Sequence, residues 1–233
     1  MTDYSTKSDL AEYLAPTPFI ERDAPAVQAF VARVAGDAQT DVEKAIRLYY
    51  AVRDEIRYDP YDIVLTVDGL KATTTLEKGR GFCISKAVLL AAAARAAGMP
   101  ARLGFADVRN HLTTERLKAQ MGTDVFAYHG FTELWLEGRW IKATPTFNRS
   151  LCERFRVKTL DFDGKTDAVL HPFDAAGNQH MEYVRDRGHA TDVPLADIED
   201  VWREMYPDPV EVESPATAGD FEREAEEDAA RRA

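Results

Sequence analysis

A chain of 233 residues, 45% hydrophobic and 30% charged, is long enough for one sizeable core and has the balance of an ordinary globular protein. Forty acidic residues against 29 basic ones leave a net charge of −11, and no basic block offsets it, so nucleic acid and anionic membrane surfaces are excluded as partners. No basic-then-apolar leader opens MTDYSTKSDLAEYL, the apolar run from Val88 to Ala97 is too short to span a bilayer, and two cysteines make no disulfide framework, so a reduced, cytoplasmic protein is expected.

Asp23-Ala24-Pro25 reads as a helix start, followed by Val27, Phe30, Val31 and Val34 at helical spacing and closed by Gly36. Thr40-Asp41-Val42-Glu43 has the form of a capping box. The helix it opens carries a stripe of Val42, Ala45, Ile46, Tyr49, Val52 and Ile56 and is expected to end near Tyr58, before Pro60. Residues 61–80 read as irregular, with turns at Asp68-Gly69 and Gly79. Phe82 to Ala97 is apolar nearly all round, with Gly98 and Pro100 as its stop, which predicts a helix in the middle of the core.

Ala101 to Val108 then reads as a strand and Thr113 to Met121 as a short amphipathic helix. Val125 to Thr146 reads as a hairpin turning at Glu137-Gly138, and Lys158 to Val169 as another around Asp163-Gly164. Beyond Val193 the chain turns acidic, and the stretch from about 211 to 233 is expected to be a flexible or partly helical tail. Helices first and strands later predict an α+β fold: one domain over 1–210, with its core at about 40–150 and an added segment at 150–210.

Cys83 opens the central helix in KGRGFCISK. A helix N-terminus favours a thiolate, and the same N–H groups can donate to an oxyanion. A buried core thiol is the competing account, because free cysteine is among the most buried residue types. Of the five histidines, His129 stands at the start of a strand, where it serves either as a base or as a structural imidazole. His171, His180 and His189 recur every nine residues, a spacing that turns successive side chains apart and does not converge on a metal.

GRGFCISKAVLLAAAARAAGMPAR resembles the nucleophile helix of the transglutaminase-like superfamily, with Gly81, Cys83, Arg95, Gly98, Pro100 and Arg102 at the matching positions. HGFTELWLEGRWIKATPTF, from His129 to Phe147, resembles the same family's histidine-led hairpin. The resemblance covers roughly 40–150 and implies a papain-like α+β fold, with a central buried helix packed on an antiparallel sheet. It also implies acyl chemistry on an amide, ester or thioester through an acyl-enzyme, with no metal or other cofactor. Cys83 would be the nucleophile and His129 its base. The substrate would be a peptide, a protein or a small amide or thioester, and the acyl group would pass to water or to an amine, with water preferred.

The family's acid position, before proline, holds Thr144. With Glu137-Gly138 as the turn, paired residue numbers sum to 275, which sets His129 opposite Thr146 with Thr144 and Asn148 diagonal to it. Asn148 is then one replacement for the missing acid, and Asp161 and Asp163 are others. Tyr58 and Tyr61 are candidate oxyanion donors, and the region from Asp107 to Thr123, with His111, is a candidate wall of the cleft. Thr144 also supports a different account, a non-catalytic module of the same fold that binds a peptide or protein partner.

Overall fold

The computed structural model describes residues 10–111, 113–170, 177, 180–206 and 221–232. Helix α1 (Pro25–Ala35) starts on a proline, whose missing N–H is one the first turn does not use, and it buries Val27 and Phe30. Its N-cap is Ala24, with no side-chain bond, and not Asp23. Helix α2 (Asp41–Glu55) is capped by the Thr40 hydroxyl, which accepts from the Glu43 N–H at 3.1 Å. The Glu43 carboxylate accepts from the N–H of Gln39, one residue earlier than a capping box requires. The helix ends at Glu55, short of Tyr58, because Arg57–Tyr58 form a strand, β1, parallel to β2 (Arg80–Gly81). Between these strands, where the sequence reads as irregular, lie α3 (Val67–Leu70) and α4 (Ala72–Lys78). Gly79 stops α4 in the left-handed region, at φ 61°.

Helix α5 (Cys83–Ala96) is the centre of the fold, and every residue from Ile84 to Arg95 is buried. Two of those residues are basic, and backbone carbonyls satisfy both. Lys86 Nζ donates to Arg53 O at 3.0 Å and Ile56 O at 2.6 Å, so it closes the C-terminal end of α2 from below. Arg95 ties three distant segments together, donating to Ala101 O at 2.9 Å, Ala15 O at 2.7 Å and Thr191 O at 2.6 Å.

One face of α5 packs on an antiparallel sheet of β3 (Ala101–Asn110), β4 (Val125–Leu136), β5 (Arg139–Ala143) and β6 (Met181–Ala190), in the order β5-β4-β3-β6. Helix α6 (Glu115–Met121) connects β3 to β4. The β4–β5 turn has Glu137 at φ 49° and Gly138 at φ 85°, and the register runs from Leu136↔Arg139 to Thr132↔Ala143 as the sequence arithmetic requires. The ladder stops there. After Ala143 the chain bridges instead to Ala168, so Thr146 leaves the sheet and does not pair with His129.

The expected hairpin at Lys158–Val169 is not formed. Asp163 Oδ1 accepts from the N–H groups of Lys165 and Thr166, each at 2.8 Å, which holds a tight turn without flanking strands. Among the described residues three further helices follow β5: α7 (Arg149–Phe155), α8 (Leu195–Met205) and α9 (Phe221–Arg232). Helix α9 belongs to the acidic tail and packs on α7. One hydrophobic cluster runs from Phe19 to Ala225. Among the described residues no helix is long and apolar enough to cross a membrane.

Arg95→Met keeps the volume of the side chain and strips three carbonyls, one of them fully buried, of their donor. Each such loss costs about 1–3 kcal/mol, partly offset by relief of burying the charge, so urea unfolding is expected to show a net loss of about 3 kcal/mol.

Candidate active site

Cys83 occupies the first position of α5, after Phe82 in extended conformation (φ −97°, ψ −174°). The turn into the helix needs glycine at 81, since a Cβ there would lie 2.4 Å from Ser85 Oγ. The Cys83 sulfur receives hydrogen bonds from the N–H groups of Ile84 and Gly130, the latter on β4 immediately after His129. A Cβ on Gly130 would meet Ile84 Cα at 3.0 Å, so the helix start rests on the strand backbone itself. Loss of the β5 partner beyond Thr132 leaves this strand edge open to the helix.

His129 is set by a β-bulge. Ala106 pairs with His129 and Val108 with Phe126, so one residue of β3 spans two of β4. Tyr128 takes up the extra length at φ 56°, a left-handed conformation that a tyrosine adopts only under constraint. Asp107 supplies that constraint: its Oδ1 accepts from the Tyr128 N–H at 3.0 Å. Arg187 of β6 grips the same carboxylate with two bonds, at 2.7 and 2.8 Å, and its guanidinium lies over the Tyr128 ring at 4.6 Å. Asp107 and Arg187 are both nearly fully buried at their side chains. They are positioning residues that fix the backbone carrying His129.

Burial decides the charge state of the pair. It pushes the Cys83 thiol up to about 11, against the lowering bonds from Gly130 and Ile84. It also pushes the His129 imidazole down to about 4. Both shifts run against the helix-terminus effect expected to favour a thiolate at this partly exposed cysteine. Tyr58 is buried and its phenol is held well above its ordinary value, first by burial and then by the proximity of Cys83. Its ring is wedged edge-on between Phe147 and Phe221.

Cys83, His129 and Tyr58 line one cleft with about 740 Å³ of empty volume, walled also by Leu117, Gln120 and Met121 at α6 and by Trp202 and Tyr206 at α8. The other residues singled out in the sequence lie apart from the imidazole. Asn148 is held by Tyr58 N–H at 3.0 Å, Ser150 Oγ at 2.7 Å and Glu222 at 2.9 Å. Thr144 is buried beside the Tyr183 phenol, which its hydroxyl faces. His129 Nε2 is buried and has no hydrogen-bond partner among the described residues. Asp161 lies near Arg53 and Tyr50, and Asp163 is taken up by its own turn. Tyr61 donates to Glu224 of α9 at 2.5 Å.

Cys152 is buried in α7, its sulfur 3.9 Å from Phe147 O. His111 lies beside Glu182, His180 against the Phe147 ring, and His189 on β6 opposite Gly104, while His171 falls outside the described residues. No group of three metal-ligating side chains converges among the described residues. Sequence reasoning missed Arg187, Trp202 and Tyr206, since neither β6 nor α8 was read as an element, and it named Asp107 only as the edge of a candidate cleft wall.

The model of the transglutaminase-like superfamily matches residues 28–145, just over half of the chain. No curated protein matches. Among solved structures, a candidate cysteine protease from Cytophaga hutchinsonii is 16% identical with a TM-score of 0.48, the match covering 82% of this chain and 57% of that one. A candidate protease from Parabacteroides distasonis is 14% identical with a TM-score of 0.39, covering 60% of this chain and 27% of that one. The chain thus spans little more than half the length of the first and about a quarter of the second.

Asp107→Asn leaves Arg187 without its carboxylate and loosens the bulge under His129. The expected outcome is a stability loss of about 3 kcal/mol and a fall in kcat of about tenfold or more with KM nearly unchanged, since the cleft walls are untouched. A change confined to stability would show that the bulge does not aim the imidazole.

Proposed function

The chain belongs to the transglutaminase-like superfamily, and from that premise we propose that it is a cysteine-dependent acyl-transfer enzyme whose acyl group passes preferentially to water. The observation that carries the reading is the shared cleft: Cys83 at the start of α5 and His129 on the adjoining strand, with Gly130 bonded to the sulfur. Cys83 Sγ attacks the carbonyl of an amide, ester or thioester while neutral His129 removes the thiol proton, so the ion pair forms only as the C–S bond forms. The N–H groups at the start of α5 and the Tyr58 phenol stabilise the oxyanion. His129 returns the proton to the leaving amine, alcohol or thiol. It then activates water, which releases the acid and the free thiol. Water is favoured over an amine because no acidic side chain lines the cleft, among the described residues, to hold a cationic acceptor.

Two observations favour a second reading, a non-catalytic module binding a peptide or protein partner: Thr144 stands in the acid position, and His129 Nε2 has no hydrogen-bond partner among the described residues. Ester turnover separates the two. Release of p-nitrophenolate from a p-nitrophenyl ester is expected to persist in Cys152→Ser, to vanish in Cys83→Ala and to fall at least about a hundredfold in His129→Ala. Equal rates in all four proteins would favour the binding module.

The neutral resting pair has its own signature. With the Cys83 thiol at about 11 and its thiolate the reactive form, iodoacetamide labelling is expected to rise about tenfold per pH unit from pH 7 to pH 10. A plateau already reached below pH 7 would mean a preformed thiolate–imidazolium pair.

A further inference from the structure

We propose that the cleft at Cys83 is an acyl-chain site for an uncharged, apolar acyl group, aliphatic or aromatic, so that carboxylate-bearing and cationic acyl groups are rejected. This inference rests on the acyl-transfer reading and names its substrate class. Thirteen described residues line the cleft, and none is Asp, Glu, Lys or Arg, in a chain that is 30% charged. Ile63, Phe82, Met121, Phe126 and Trp202 supply its wall beside the catalytic pair, and Gln120 is its one amide.

The polar atoms of two large aromatic liners, Trp202 and Tyr206, are turned away from the space. Trp202 Nε1 donates to Ala127 O at 3.0 Å. The Tyr206 hydroxyl accepts from Ala127 N–H at 2.8 Å and donates to Val125 O at 3.4 Å. Both side chains satisfy themselves on the β4 backbone just before His129 and present ring surface to the cleft. An acyl chain entering between them gives up no hydrogen bond and displaces water from apolar surface. A charged acyl group loses its hydration and finds no counter-charge among the described residues.

The chemistry balances without a further reactant: a thioester R–CO–SR′ loses R′–SH as Cys83 takes the acyl group, and water then yields R–COOH and the free thiol. Hydrolysis is measured with N-acetylcysteamine thioesters of acetate, butanoate, hexanoate, 3-phenylpropanoate and succinate. From acetyl to hexanoyl, kcat/KM is expected to rise up to about fourfold per added methylene, from the usual transfer free energy of a buried methylene. Succinyl is expected to lie at least about a hundredfold below hexanoyl. Binding is followed separately in Cys83→Ala, through Trp202 fluorescence, with hexanamide, 3-phenylpropanamide and succinamate as unreactive probes.

Tighter binding of the two apolar amides, with Met121→Glu or the half-buried Ile63→Lys weakening hexanamide at least about tenfold, supports the acyl-chain site. That result would stand even if no thioester turned over, in which case only the acyl-transfer reading would fall. Succinamate bound as tightly as hexanamide, or succinyl hydrolysed as fast as hexanoyl, would overturn the proposal.

Discussion

The site depends on one backbone contact, the seat of the first turn of α5 on β4 at Gly130. The sulfur of Cys83 takes a hydrogen bond from that strand's N–H, and no side chain separates Ile84 from the glycine. A strand can offer an N–H sideways to a helix only where its own sheet partner has ended, and β5 ends at Ala143, opposite Thr132. Three features therefore act together: the short return strand, the glycine after the histidine, and a helix apolar enough to lie buried along its whole length. Lys86 and Arg95 keep that burial tolerable, because carbonyls at the ends of neighbouring elements receive their charges.

A carboxylate that orients a catalytic histidine usually does so at the imidazole. Here the buried carboxylate of Asp107 bonds to the backbone one residue before the imidazole. It fixes the bulge and leaves Nε2 without a charged partner among the described residues. An imidazole without a carboxylate is a weaker base, and burial lowers it further, to about 4. The same burial holds the proton on sulfur. In the proposed reaction the proton therefore moves during attack, with no ion pair formed beforehand.

The parts of the fold legible in the sequence were those with local causes. The β4–β5 register followed from a two-residue turn, α2 from its threonine cap, and the central position of α5 from an apolar pattern without a polar face. Cys83 and His129 were legible because each lies in a run of residues with a distinctive order. The residues that hold the backbone under His129 were not. Asp107 and Arg187 are 80 residues apart, and their pairing follows from β3 lying beside β6, a strand whose exposed middle lacks an apolar alternation. Asn148 went astray for a related reason: the chain leaves the sheet at Ala143, so extrapolated register no longer describes its neighbours. Trp202 reached the cleft through an amphipathic helix masked by its acidic composition.

The central claim is that an acyl group becomes covalently attached to Cys83 with His129 as base. Acid quenching during turnover of a hexanoyl thioester, followed by peptide mass mapping, tests it directly. The account predicts a hexanoyl mass increment on the Cys83 peptide, absent from the Cys152 peptide and strongly reduced in His129→Ala. An increment on Cys152 with none on Cys83, or thioester hydrolysis that continues in Cys83→Ala, would contradict it.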